Sequence, residues 1–303
     1  MAEIRPAALA GLLGAGIGAS LSPPLHEREA GLNGLRLFYQ LIDLTALGLD
    51  VIEAPVLLAA ARQVGFVGLN ITHPCKQIVL EHLDELSADA AAIGAVNTVV
   101  FDAGKSVGHN TDWLGFARSI ERGLRDAAKG MVVLLGAGGA GAAVAYAILS
   151  LGAAEVTVID VDRQRTDALV ERMRRHVGGA RVVGADLDLL EASLVRADGL
   201  IHATPVGMAG HPGLPFPPGF LRPNQWVADI VYGPQETSLL HHARTMGCRT
   251  LSGGGMLVFQ AAEAFRLFTG VQPDSNRMLH HFELLTNLSS GGVMKSPVGL
   301  SAR

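Results

Sequence analysis

Six consecutive residues, Gly136-Ala-Gly-Gly-Ala-Gly141, have the spacing that brings a bare backbone up to a phosphate group. In such a turn the first glycine allows the tight bend and the second lets the backbone approach a pyrophosphate. The third lets the following helix pack close to its strand. The helix start then offers free N–H groups and partial positive charge to the anion. About 20 residues further on, an apolar stretch ends in Asp160. A carboxylate there can accept both ribose hydroxyls of NAD and repels the 2′-phosphate of NADP. NAD is therefore expected over NADP. Arg163 and Arg165 stand nearby and could hold a phosphate, pack on adenine or pair with Asp160 and Asp162.

Hydride chemistry at such a site needs a partner that moves a proton on and off a substrate oxygen. Lys76, after Asn70-Ile-Thr-His-Pro-Cys75, is one candidate, because a lysine can do this when its surroundings bring its pKa toward neutrality. The plain alternative is a solvent-facing lysine at a helix start, but a cation there opposes the helix dipole, which favours the catalytic reading. Asp112 could orient that amine and accept a substrate hydroxyl, or simply cap a helix beginning at Trp113. Ser20 and Ser22 could donate to a substrate carboxylate or serve as helix caps.

These residues sit on a regular alternation of strands and helices. Strands are expected at Ala8–Leu13, Leu37–Ile42, Gly68–Thr72 and Val96–Phe101. Helices are expected at 23–32, 56–64, 77–86 and 87–93, with Pro23 in the first turn. A second unit opens with the apolar strand Met131–Leu135, a helix over 142–151, strand Glu155–Asp160 and an amphipathic helix over 166–177. Strands at Arg181–Val183, Gly199–His202 and Trp226–Val231 follow, then a helical pattern over 256–268. Alternation of this kind predicts an α/β protein with helix-covered, mostly parallel sheets. Residues 1–113 are expected to form a substrate domain, with 256–288 packing back on it. Residues 114–255 would form a Rossmann-type dinucleotide domain, and 289–303 a disordered tail. Gly14-Ala-Gly16-Ile-Gly-Ala19 also fits the glycine pattern, but Ser-Leu-Ser-Pro-Pro follows it and no acid-terminated strand does, so it reads as a decoy.

The whole chain supports this reading. Its 303 residues suggest two domains, and 49% hydrophobic residues suffice for two cores. Net charge is −4 with no basic, aromatic-laced tract, so nucleic acid is not an expected partner. The two cysteines form no disulfide framework. With no membrane-length apolar run and no signal-peptide pattern at the first residues, a soluble cytoplasmic protein is expected, with no membrane partner. The eleven histidines include the adjacent pairs His241-His242 and His280-His281, which would point apart on a helix, and no metal is expected.

Eight blocks in order resemble the shikimate/quinate dehydrogenase family over roughly residues 9–285. They are Ser20-Leu-Ser-Pro-Pro24, Gly68-Leu-Asn-Ile-Thr-His-Pro-Cys-Lys76, Gly94-Ala-Val-Asn-Thr98, Asn110-Thr-Asp112, Gly136-Ala-Gly-Gly139, Ala203-Thr-Pro-Val-Gly-Met208, Asp229-Ile-Val-Tyr232 and Gly255-Met-Leu-Val-Phe-Gln260. The resemblance implies that Lys76 and Asp112 are the catalytic pair and that Ser20 and Ser22 bind the substrate carboxylate. It implies that Thr72, Asn97 and Gln260 hydrogen-bond the ring and that Tyr232 lines the site. Gly136, Ala137, Gly138, Gly139, Ala140, Asp160, Arg165, Thr204, Ile230 and Gly253 would contact the cofactor.

The implied reaction is reversible NAD-dependent oxidation of a ring hydroxyl of shikimate to 3-dehydroshikimate, with quinate or aminoshikimate as alternative substrates. A non-catalytic NAD-dependent sensor is the alternative from another class, and a homodimer is left open. Some residues depart from the family pattern. Asp160-Val-Asp162-Arg163 stands where NADP-using members have Asn-Arg-Thr, which resembles the NAD-using branch. Cys75 replaces a usual aromatic and His202 a usual asparagine. Ser22 resembles the shikimate-using form, whereas quinate-active members often carry threonine there.

Overall fold

The structure, a computed structural model, describes residues 7–176 and 178–290. The first sheet is built from β1 (Ala7–Gly14), β2 (Arg36–Asp43), β3 (Phe66–Ile71), β4 (Glu85–Leu86), β5 (Thr98–Asp102) and β6 (Lys105–His109), in the order β2-β1-β3-β5-β6-β4. β1 runs parallel to β2 and β3, while β5 is antiparallel to both β3 and β6. Helices α1 (Ser22–Leu32), α2 (Leu44–Leu47), α3 (Ala54–Gln63) and α4 (Ala88–Ile93) connect these strands. One core cluster joins Leu13, Leu69, Ile71 and Val99 to Leu58 of α3.

Helix α5 (Asp112–Gly123) leads to a second sheet of β7 (Met131–Leu135), β8 (Glu155–Ile159), β9 (Arg181–Ala185), β10 (Gly199–His202), β11 (Trp226–Asp229) and β12 (Arg249–Ser252). All pairs are parallel, in the order β12-β11-β10-β7-β8-β9. Chain direction across the sheet reverses between β7 and β10, and ligands of such sheets bind outside the strand ends at that switch point. Helices α6 (Gly139–Ser150), α7 (Arg163–His176), α8 (Leu190–Arg196) and α9 (Ser238–Thr245) cover it. Val132, Leu134, Val156 and Val158 pack with the small side chains of α6, such as Ala143 and Ala147.

Two helices then return to the first sheet. α10 (Gly254–Thr269) places Phe265 and Phe268 in one cluster with Ala10, Leu12 and Tyr39. α11 (Ser275–Ser290) ties back to α1 through Arg277, whose Nη2 lies 2.6 Å from Oε1 of the buried Glu29. Ser289 and Ser290 therefore belong to a helix rather than to a disordered tail, and the rest of that expected tail, 291–303, lies outside the described residues.

Two further expectations are corrected, and β6 and β12 lie outside the expected set of strands. Residues 77–86 do not form a helix: they make turns, a 3₁₀ turn at Leu80–His82 and the short β4. Leu80, His82 and Leu83 N–H groups close local turns onto Gln77, Val79 and Leu80, and the end of the segment bonds across to the sheet, with Asp84 N–H donating to Ser106 O at 3.1 Å and the following Ser87 N–H to Gly108 O at 2.9 Å. β6 and β12 carried no apolar run long enough to read. β6 exists because the two-residue turn Ala103-Gly104, with φ of 46° and 81°, folds it back on β5. The His241 and His242 rings do not point apart but meet edge-on with centroids 5.9 Å apart.

Candidate active site

β7 runs directly into the glycine turn, and each glycine there has a distinct reason. Gly136 has φ of +109°, and a Cβ on it would lie 2.6 Å from Ala203 O. A Cβ on Gly141 would lie 2.1 Å from Gly136 O, so only glycine lets α6 start this close to its strand. At Gly138, the residue preceding α6, an added Cβ would meet nothing within 4 Å. This open backbone at a helix start whose first N–H groups have no intrahelical partner fits a pyrophosphate. The decoy ends differently. Gly16 and Ile17 N–H groups donate to the Asp43 carboxylate at 2.8 and 2.9 Å, so their anion-binding capacity is taken up internally. Desolvation would raise the Asp43 carboxyl, but amide hydrogen bonds from Gly16, Ile17 and Thr45 outweigh it and hold it below the usual range.

Asp160 follows β8 and faces back to the turn. Its Oδ2 accepts from Ala137 N–H at 2.7 Å and its Oδ1 from Asp162 N–H at 2.9 Å. Its negative charge is thus held in one place beside the glycine turn. Arg165 pairs with Asp162 at 3.2 Å, whereas Arg163 turns away to Asp167 and Asp186, at 2.9 and 2.7 Å. The segments after β10 and β11 complete this side. A Cβ on Gly136 would approach Thr204 Cγ2 to 3.1 Å, and one on Gly253 would lie 2.1 Å from Ile230 O. Tyr232, just beyond, has an exposed side chain.

On the first sheet, Lys76 Nζ lies 2.5 Å from Asp112 Oδ2. Lys76 is not at a helix start, so the dipole argument does not apply. It occupies a turn pinned by its own carbonyl, which accepts from Val96 N–H at 2.9 Å. Asp112 is not a cap either: Thr111 precedes α5 without a side-chain capping bond, and the Asp112 carboxylate turns to Lys76 and Asn97. Asn97 Nδ2 donates to Asp112 Oδ1 at 2.8 Å, close to Thr111 Oγ1 and Gln260 Oε1 at 2.9 and 3.3 Å. Its Oδ1 accepts from Thr111 N–H at 2.6 Å. Gln260 reaches this cluster from α10, so the returning helix contributes to the site.

A polar floor extends from Asn97 toward the serines. Asn70 Nδ2 donates to Thr98 Oγ1 at 2.9 Å, and the Tyr39 hydroxyl donates to Asn70 Oδ1 at 2.7 Å. Ser22 lies beside that hydroxyl. Ser22 is the first residue of α1, not its cap, and its N–H donates to Ser20 Oγ at 3.2 Å. Thr72 sits over Gly14, where a Cβ would come within 2.3 Å of Thr72 Cγ2. Tyr39, Asn70, Thr98 and Thr111 are all buried and were not singled out from sequence. For Tyr39 and Asn70 the sequence cue is a polar group inside a strand, which carries no pattern until its partner across the sheet is known, and Thr111 lies outside the strands. Cys75, beside Lys76, is buried, and burial pushes its thiol up to about 11, so it acts as packing rather than as a nucleophile.

The two halves meet at α6. A Cβ on Gly139 would lie 3.7 Å from both Cβ and Cδ of Lys76. The glycine turn and the Lys76–Asp112 pair therefore lie side by side. Such an arrangement can hold a dinucleotide on one side and exchange a proton with a substrate oxygen on the other.

Comparison with known proteins agrees with this geometry. Residues 12–99 match the shikimate dehydrogenase substrate binding domain, and residues 253–280 match the shikimate 5′-dehydrogenase C-terminal domain. A shikimate dehydrogenase (NADP(+)) of Streptomyces avermitilis is 59% identical, covering 89% of this chain and 93% of the relative. A quinate/shikimate dehydrogenase (NAD(+)) of Corynebacterium efficiens is 49% identical, covering 89% and 95%. The solved structure of quinate dehydrogenase from Corynebacterium glutamicum in complex with NAD superposes with a TM-score of 0.86 at 46% identity, covering 92% of this chain and 100% of that one. With this extent of identity and this fold, the chain belongs to the shikimate/quinate dehydrogenase family, whose members are oxidoreductases acting on CH–OH groups.

Proposed function

We propose that this protein reversibly oxidises a ring hydroxyl of shikimate to the ketone of 3-dehydroshikimate, with NAD as the hydride acceptor. The observation that carries this reading is the 2.5 Å contact of Lys76 Nζ and Asp112 Oδ2 beside the first turn of α6. The first sheet, with α10 returning to it, forms the substrate side, and the second sheet forms the dinucleotide side. Bound at the turn Gly136–Ala140, NAD would supply hydride acceptance. Lys76 is placed to take the hydroxyl proton during oxidation and to return it during reduction. Asp112 holds that amine and accepts from an adjacent ring hydroxyl, while Asn97 and Gln260 fix its orientation. Thr72 adds a further donor toward the ring, Tyr232 closes one side, and Ser20 and Ser22 receive the substrate carboxylate. Thr204, Ile230 and Gly253 line the dinucleotide wall, with Arg165 at its outer end.

Two features support NAD over NADP. The Asp160 charge is fixed by two amides, and both nearby arginines are already paired with carboxylates. Relatives bearing either cofactor name exist, so the test must be direct. The decisive experiment is a spectrophotometric grid of shikimate, quinate and aminoshikimate against NAD and NADP. Reduction of NAD with shikimate is expected. Faster turnover of quinate would instead make quinate the substrate of the same site, as the names of the NAD-linked relatives suggest. Absence of reduction with all three acids would favour the sensor reading. Among the described residues, no helix is long and apolar enough to cross a membrane.

A further inference from the structure

Behind the dinucleotide wall lies a chain of buried polar side chains that none of the steps above uses. His202 ends β10 and Asp229 ends β11, paired side by side in register. Both are fully buried, as is Thr237 at the start of α9. Burying a carboxylate is costly unless its lone pairs are filled, and here they are. Asp229 Oδ1 accepts from Val231 N–H at 3.1 Å and lies 2.9 Å from His202 Nδ1, while Oδ2 accepts from the Thr237 hydroxyl at 2.6 Å.

This pairing fixes the direction of the next bond. A carboxylate only accepts, so His202 Nδ1 carries the proton, and in the neutral ring Nε2 is an acceptor. Thr204 Oγ1 lies 2.5 Å from that Nε2, so the threonine hydroxyl donates to it. The threonine oxygen in turn accepts from Val206 N–H at 3.3 Å, which folds the segment after β10. With its rotamer set in this way, Thr204 holds its methyl against the glycine turn, next to Gly136.

We propose that His202 is a positioning residue for the dinucleotide: through Asp229–His202–Thr204 it locks the segment after β10 against the Gly136 turn, without touching the ligand. This inference rests on the reading of Gly136–Gly141 as the dinucleotide site. A fully satisfied buried relay of this kind rigidifies what it holds, and removing one member leaves the others unpaired. The effect should fall on dinucleotide affinity and spare the substrate side, because Lys76, Asp112 and the serines hang from the other sheet.

The test is fluorescence titration of the apoprotein with NADH, with shikimate KM measured in parallel. His202→Ala and Thr204→Val should each weaken NADH binding about tenfold, the equivalent of one lost buried hydrogen bond. The double variant should be no weaker than Thr204→Val alone, because that change already breaks the His202 link along with the Val206 bond. His202→Asn, whose amide can donate to Asp229 and accept from Thr204, should recover most of the affinity. Shikimate KM should stay within about twofold throughout, as uncoupled sites behave. Failure of the unmodified protein to bind NADH would overturn the dinucleotide reading itself. Normal binding there with unchanged binding in His202→Ala would overturn this inference alone, as would additive losses or a parallel rise in shikimate KM. Should His202→Ala not fold, unchanged NADH affinity in Thr204→Val would be equally decisive against it.

Discussion

Lys76 Nζ and the Asp112 carboxylate meet at 2.5 Å although 36 positions separate them, and Asn97 holds the second carboxylate oxygen at 2.8 Å. The pair is therefore aimed rather than accidental: one oxygen positions the carboxylate and the other positions the amine. Lys76→Ala should lower kcat by roughly 100-fold or more, while substrate still binds. Asp112→Asn should lower it comparably, and the double variant should lose little beyond the worse single one, because the two act as a unit. Steady-state kinetics check this, and near-normal turnover in Lys76→Ala would sink the mechanism.

Asp160 is the residue that should set cofactor choice. Its carboxylate holds the turn through Ala137 N–H, and a charge there is expected to repel a 2′-phosphate. Asp160→Asn keeps an acceptor oxygen and removes the charge, so it separates the two roles. It should shift the ratio of kcat/KM for NAD over NADP toward NADP by about tenfold, or 1.4 kcal/mol. An unaltered ratio would show that some other group excludes NADP.

Two glycines of one turn should fail in opposite ways. A Cβ at Gly141 would lie 2.1 Å from Gly136 O, a backbone atom that cannot swing aside. Gly141→Ala should destabilise the ligand-free protein by about 1–3 kcal/mol, as overpacking does. A Cβ at Gly138 has open space around it, so Gly138→Ala should leave ligand-free stability within about 1 kcal/mol and weaken NADH binding instead. Thermal unfolding without ligand, set beside an NADH titration, distinguishes them. Equal stability losses in both variants would contradict this division of labour.

What could be read in advance divides along lines of locality. Gly136–Gly141 and Asp160 were legible because strand, turn, helix and strand are contiguous, so local spacing already determines their geometry. Lys76 and Asp112 could be named as residue types, but their meeting depends on β5 and β6 folding back over the turn Ala103-Gly104. No apolar pattern announces β6. The expected helix at 77–86 failed because its end, from Asp84 to Leu86, pairs with Ser106 to Gly108, far along the chain, and what precedes it closes into tight turns. The Gly14–Ala19 pattern lacks a following strand and acid. What fills its amides, the carboxylate of Asp43, lies at the end of the next strand and became visible only in three dimensions. Tyr39 and Asn70 escaped notice because a polar residue inside a strand has no pattern of its own until its partner across the sheet is known.

His26 gives the protein a pH dependence that can be isolated. It is fully buried and stacked on Tyr39 with centroids 4.6 Å apart, and among the described residues neither ring nitrogen has a hydrogen-bond partner. Burial alone pushes its pKa down from 6.5 to about 3. The unfolded chain therefore binds a proton at His26 below pH 6.5 that the folded protein refuses. Stability from this group is intact above pH 6.5 and is lost as pH falls toward 3, at about 1.4 kcal/mol per pH unit. Between pH 7.5 and 5.0 the loss is about 2 kcal/mol, in a range where carboxylates contribute little. His26→Phe fills similar space beside Tyr39 and cannot titrate, so its urea-unfolding free energy should fall less than that of the unmodified protein over the same interval, by about those 2 kcal/mol. Parallel pH profiles for the two proteins would mean that His26 is protonated in the folded state, and that its ring is not held in the dry setting its neighbours Phe265 and Phe268 provide.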